Sequence, residues 1–265
     1  MADAVRSVLD GAVRRVVLCR PERRNAFDAG LLADLTAAFR SAPAGGARCV
    51  VLAGEGPAFS AGADLEWMRA GLALGEAGNR EDALRLAGLF AAIAECPLPV
   101  VARVHGAALG GGAGLVCAAD VAVLSEEATI GFPEVRLGIV PAVISPYVVQ
   151  RVGAGTARRL FLTGRAIDAA EALRVGLADE VAASDALDAA VDRVTRDLLR
   201  GGPGALTAAK TLVTAVDGRP PADVRDDTAA LIAEIRTGEE AQAGLRAFLE
   251  RERAPWVAEP PGDAR

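Results

Sequence analysis

The sequence predicts an α/β fold, and three observations carry that prediction. Short valine-rich runs recur through the first half of the chain. Stretches with apolar residues at helical spacing separate them. Beyond Asp185 the valine runs stop, and every segment reads as helix or loop.

The first strand is expected over 13–20. A helix follows over 28–41, with Leu31, Leu32, Leu35, Ala38 and Phe39 on one face and Asp28 as its N-cap. A second strand is expected over 48–52. Residues 65–82, rich in Gly and Ala and irregular in pattern, read as a mobile or loosely helical lid. A helix over 82–96 is closed by Pro97 and Pro99, which cannot continue it. A strand over 100–104, a helix over 113–119 and a strand over 121–124 come next. Helices over 145–152, 154–162 and 168–175 complete the core. The remaining helices fall at 186–200, 205–216, 223–236 and 239–251, with Gly201-Gly202-Pro203-Gly204 as punctuation. This divides the chain into a core, 1–195, and a helical region, 196–265, suited to packing or oligomerisation. The tail after Trp256 reads as frayed.

Composition narrows the function. Of 265 residues 52% are hydrophobic, largely dispersed Ala and Val, and no run is as long as a membrane span. Residues 1–10 carry acids and lack the apolar core of a signal peptide, so a cytoplasmic location is expected. A net charge of −6 and 4% aromatic residues argue against a nucleic-acid partner. Cys19, Cys49, Cys96 and Cys117 lie in or beside apolar segments without C-x-x-C spacing, and read as buried, reduced, inert thiols.

Several chemistries fail on their residues. The single histidine, His105, follows a strand and reads as structural, which leaves no Ser-His-Asp triad. Ser60 lies in Ala58-Phe59-Ser60-Ala61-Gly62, without the first glycine of a nucleophile elbow. Gly110-Gly111-Gly112-Ala113-Gly114 has the wrong spacing for a dinucleotide fingerprint, and there is no P-loop. Neither a histidine pair nor a dense carboxylate cluster offers a metal site.

What remains is chemistry on an oxyanion. Phe59-Ser60-Ala61-Gly62-Ala63-Asp64 and His105-Gly106-Ala107-Ala108-Leu109-Gly110-Gly111-Gly112 are segments whose small residues let backbone approach a ligand. If the amides of Ala63 and Gly111 aim at one thioester oxygen, they stabilise an enolate-like transition state. Glu134, in Phe132-Pro133-Glu134-Val135, supplies a carboxylate whose apolar neighbours raise its pKa toward a useful value.

These residues carry a resemblance. The chain resembles the crotonase superfamily of enoyl-CoA hydratases and isomerases through Arg20-Pro21…Asn25-Ala26, 59–65, Gly110-Gly111-Gly112, Ala119-Asp120, 132–138, Leu162-Thr163-Gly164 and 247–251. The resemblance implies a spiral of ββα turns with a helical C-terminal trimerisation region, assembled as a homotrimer or a dimer of trimers. It implies an acyl-CoA substrate and no separate cofactor, coenzyme A being part of the substrate. By the same carry-over Ala63 and Gly111 form the oxyanion hole and Glu134 moves the proton. Arg24 and Ala26 would line the nucleotide site. Ala61, Asp64 and Leu65 would follow the pantetheine, with Leu109, Gly110 and Pro133 also at the substrate. Arg251, from a neighbouring subunit, would meet a CoA phosphate. Trp67 and Met68 would wall the acyl pocket or simply pack within the lid.

One departure matters. Where two-glutamate hydratases carry their second acid, this chain has Gly114. Family isomerases run on one glutamate at the Glu134 position, so the reaction stays forked. The segments 64–69 and 135–147 are similar to methylglutaconyl-CoA and isohexenylglutaconyl-CoA hydratases of bacteria, which favours hydration of a substrate with a distal carboxylate. An enoyl-CoA isomerase is the alternative, and a non-catalytic acyl-CoA-binding protein is a third reading from another class.

Overall fold

The computed structural model describes residues 4–257. Its valine-rich strands pair mostly in parallel and are buried on both faces, which is why they read as near-continuous apolar runs. The chain starts with an antiparallel pair, β1 (Val5–Asp10) and β2 (Val13–Leu18), and crosses through α1 (Ala29–Ser41) to β3 (Cys49–Gly54). Asp28 caps α1 by accepting from Leu31 N at 2.8 Å, as the sequence predicts.

Two helices occupy the expected lid: α2 (Leu65–Gly71), capped by Asp64, and α3 (Glu76–Ala94). The long helix therefore begins at Glu76 rather than at 82, and the irregular stretch is short helix and turn. The first turns of α3 hold no buried residue, so they carry no apolar face for the sequence to reveal.

After β4 (Val100–Val104), β5 (Ala107–Leu109) leads straight into α4 (Gly111–Ala118). Then come β6 (Val121–Ser125), β7 (Thr129–Gly131) and a 3-10 turn over Pro133–Leu137. The helix α5 (Ser145–Thr163) is kinked at Gly153, where two helices are expected from the sequence. It precedes β8 (Ala166–Asp168), α6 (Ala169–Arg174) and β9 (Glu180–Ala182). Four helices follow: α7 (Leu187–Leu199), α8 (Pro203–Val216), α9 (Pro221–Thr237) and α10 (Glu239–Glu250).

The main sheet has the order β1-β2-β3-β4-β6-β9, and a small second sheet has the order β5-β7-β8. Alternation divides the main sheet's side chains. Val16, Leu18, Val50, Leu52, Val100, Ala102, Val104 and Leu124 face a large core shared with α1, α3, α4 and α5. Val13, Cys49, Val51, Val101 and Val123 face a smaller core under Leu187, Ala190 and Val191 of α7. Burial pushes the Cys49 thiol up to about 11 and the Cys117 thiol up to about 12, while Cys19 is half-buried rather than buried.

The C-terminal helices are tied back to the sheet. Lys210 on α8 reaches Asp120 at 2.7 Å, and Thr207 donates to the Pro97 carbonyl at 2.8 Å. Arg48, one residue before β3, donates to the carbonyls of Gly201 and Trp256. The Trp256 indole donates to Arg200 O at 3.0 Å and its ring lies against Gly244 of α10. The tail beyond Val257, read from the sequence as frayed, lies outside the described residues.

Candidate active site

The two glycine-rich segments meet side by side. Ser60 N donates to Ala107 O at 3.0 Å and Leu109 N returns a bond to Ser60 O at 3.0 Å, an isolated parallel bridge. On its other side the first segment pairs with Phe27: Phe27 N donates to Gly62 O at 2.7 Å and Asp64 N to Phe27 O at 2.8 Å. The chain turns between these contacts at Gly62, whose φ of 87° is left-handed and whose β-carbon would stand 2.7 Å from Leu109 O.

This leaves two amides over. Among the described residues neither Ala63 N nor Gly111 N has a hydrogen-bond acceptor. Gly111 is the first residue of α4, so its N–H is one of the helix's free donors. A β-carbon on Gly62 would lie 3.6 Å from Gly111 N, which puts the two loops in contact. Ala63 itself is exposed.

Glu134 sits on the 3-10 turn, entered through Pro133. Its Oε1 would lie 3.1 Å from a β-carbon on Gly110, so the carboxyl is beside the residue that opens α4. Its Oε2 is buried and has no hydrogen-bond partner. Desolvation raises its pKa above the ordinary 4.5, opposed only by its own backbone N–H.

The other expected residues fall around this centre with different roles. Arg24 is exposed, adopts a left-handed φ of 51°, and its carbonyl accepts from Ala61 N at 2.9 Å. Ala26 is buried and its carbonyl accepts from Arg20. The Asp64 carboxylate is turned into the protein: it caps α2 through Glu66 N at 2.8 Å and pairs with Arg20 and Arg23. Leu65 is exposed. Trp67 packs against the large core and donates to Asp82 at 3.2 Å, a partner the sequence does not reveal. Met68 is half-buried. Arg251 is not gathered into this group; it ends α10 with a left-handed φ of 60° and is exposed. His105, read from the sequence as structural, bonds Gly56 O through Nε2 at 2.8 Å.

Residues that sequence reasoning did not assign are Asn25 and Ser60, both fully buried, and the pair Phe90 and Ile144. A β-carbon on Gly114 would stand 2.9 Å from Phe90 Cε1, so the place of a second acid is filled. Among the described residues no group of three or more His, Cys, Asp or Glu could hold a metal ion.

Two free amides beside one desolvated carboxyl can stabilise an oxyanion and move a proton. The family model described as enoyl-CoA hydratase/isomerase matches residues 9–259. The chain belongs to the enoyl-CoA hydratase/isomerase family, within the crotonase superfamily. A Thermus thermophilus protein named as an enoyl-CoA hydratase is 37% identical over 242 residues, covering 91% of this chain and 96% of its own. The cyclohexa-1,5-dienecarbonyl-CoA hydratase of Thauera aromatica is 33% identical over 259 residues, covering 93% of each chain. Among solved structures, an enoyl-CoA hydratase from Shewanella pealeana superposes with a TM-score of 0.92 at 36% identity, covering 96% of each chain. The mixed α/β architecture is thus that of the hydratase/isomerase family, and the chain is an enzyme of that family.

Proposed function

We propose that the protein adds water across the 2,3 double bond of an acyl-CoA thioester. The observation that carries this reading is the buried, unpartnered Oε2 of Glu134 beside two unpartnered amides. The thioester oxygen sits between Ala63 N and Gly111 N. Ionised Glu134 takes a proton from water as the water oxygen bonds to C3. Charge collects on the thioester oxygen, and the same carboxyl then returns the proton to C2. The atoms balance with one carboxylate. Losing either amide would cost on the order of 3 kcal/mol of barrier.

A substrate with a distal carboxylate, of the methylglutaconyl-CoA type, is supported by the likeness of segments 64–69 and 135–147. Arg24, Ala26, Ala61, Asp64, Leu65, Leu109, Gly110 and Pro133 would line the path of the CoA moiety, and Trp67 the acyl group. Assembly as a homotrimer or dimer of trimers is supported by exposed Val213, Ile232, Leu245, Phe248 and Leu249 on α8, α9 and α10. In such an assembly Arg251 would reach a neighbour's CoA phosphate. The division into a 1–195 core and a 196–265 assembly region, and a cytoplasmic location, belong to the same proposal.

A second reading, double-bond migration by Glu134 alone, is favoured by one observation: Phe90 and Ile144 close the second acid's place. Turnover of crotonyl-CoA, 3-methylglutaconyl-CoA and 3-hexenoyl-CoA, followed by product mass, separates the two. A gain of one water, lost in Glu134→Gln, is the expected result. Migration without mass change would make the enzyme an isomerase. Binding without turnover of any of the three would point to an acyl-CoA-binding protein.

A further inference from the structure

Ser60 is fully buried, and its polar atoms join the two loops that carry the free amides. Its hydroxyl donates to Asn25 O at 2.9 Å and accepts from Gly62 N at 3.3 Å, one residue before Ala63. Its backbone bonds Ala107 and Leu109, so the same residue reaches the strand that runs into Gly111. A hydroxyl so engaged on both sides is poorly placed to attack a substrate, but well placed to set a distance.

Asn25 holds the other end. It is fully buried at a left-handed φ of 54°. Its side-chain oxygen accepts from Arg20 N at 2.9 Å, and its amide donates to Glu55 O and Ala58 O, each at 2.9 Å. Arg24 O, one residue earlier, accepts from Ala61 N at 2.9 Å. Ala58, Ser60 and Ala61 are therefore each bonded to the 24–25 turn, and Ala63 N–H follows two residues further on.

We propose that Ser60, fixed by Asn25, is a positioning residue that sets the spacing of the Ala63 and Gly111 amides around the thioester oxygen. The proposal rests on the oxyanion reading given above. Donors of this kind act only when aimed at the developing charge, and small misplacements are costly in rate. Both side chains are fully buried, so a change in either is expected in kcat and in the polarisation of a bound thioester, while CoA affinity stays as it is.

The test compares wild type with Ser60→Ala and Asn25→Gly; the glycine keeps the left-handed backbone while removing the side-chain bonds. Steady-state kinetics on the turned-over enoyl-CoA give kcat and KM. Titration with acetoacetyl-CoA gives the near-ultraviolet absorbance of its enolate, which reports oxyanion donors without turnover. The expected result is a kcat lower by roughly tenfold to a hundredfold in Ser60→Ala, weaker enolate absorbance, and a Kd for free CoA within about twofold of wild type. Asn25→Gly is expected to move the same quantities in the same direction. Wild-type kcat and absorbance in a folded Ser60→Ala or Asn25→Gly overturn the proposal. So does a kcat loss matched by an equal loss of CoA affinity, which would mark general loosening. Wild type that enolises acetoacetyl-CoA but turns over no enoyl-CoA sinks the hydratase reading alone, and absorbance then decides the positioning role.

Discussion

A β-carbon on Gly114 would stand 2.4 Å from Cγ2 of Ile144. The glycine where a second acid would stand is thus a packing requirement of this chain as well as a missing carboxylate. Gly114→Ala is expected to destabilise the fold by about 1–3 kcal/mol through overpacking, read by denaturant unfolding. In an Ile144→Ala background the same change should cost less, because part of the obstruction is gone. Gly114→Glu should not raise hydration in the wild-type background.

Glu134→Gln should lower turnover at least a hundredfold while leaving CoA binding intact. In wild type, kcat/KM should fall on the acid side with a midpoint above 4.5, since burial raises the carboxyl's pKa and the ionised form takes the first proton.

The same shift has a stability consequence with a fixed sign. The folded state holds the Glu134 proton to higher pH than the unfolded chain, so stability is lost as pH rises from 4.5 through the folded value. Glu134→Gln has no such loss. Its Tm advantage over wild type should be small in acid and grow toward neutral pH; a gain independent of pH would contradict this.

Asp64 caps α2 and pairs with Arg20 and Arg23. Asp64→Ala should cost about 1–2 kcal/mol, and Asp64→Asn, which keeps the capping oxygen, distinctly less. Equal losses in urea unfolding would show that the charge, rather than the cap, stabilises this turn.

Phe248 is 79% exposed on α10. Phe248→Glu should shift the protein toward monomer in analytical ultracentrifugation. Arg251→Ala should weaken CoA binding about tenfold and leave dephospho-CoA unaffected. An equal effect on both ligands would remove Arg251 from the 3′-phosphate, the one group that dephospho-CoA lacks.

Much of this organisation is legible in the sequence because the signals are local. The cap at Asp28 acts within three residues, and the structure has it as read, whereas α4 starts at Gly111 rather than at the expected 113. The strands β5, β7, β8 and β9 have three residues each, too few for alternation to show, and β1 exposes most of its residues. The start of α3 is illegible because it buries nothing. The roles of Asn25 and Ser60 lie in bonds between segments 33 and 35 residues apart, and no pattern along the chain encodes them. The obstruction at Gly114 comes from α3 and from the residue before α5, two elements that only the fold brings together.

Arg48 gives the last helix a stake in the sheet. Its two donated bonds end on Gly201 and Trp256, on either side of α8 to α10 in the chain. Peeling α10 away would strand a guanidinium whose Nε is already buried without a partner. The terminal helices and the start of β3 should therefore open as one cooperative unit in hydrogen exchange, and α10 should be protected well beyond what an exposed amphipathic helix achieves by itself.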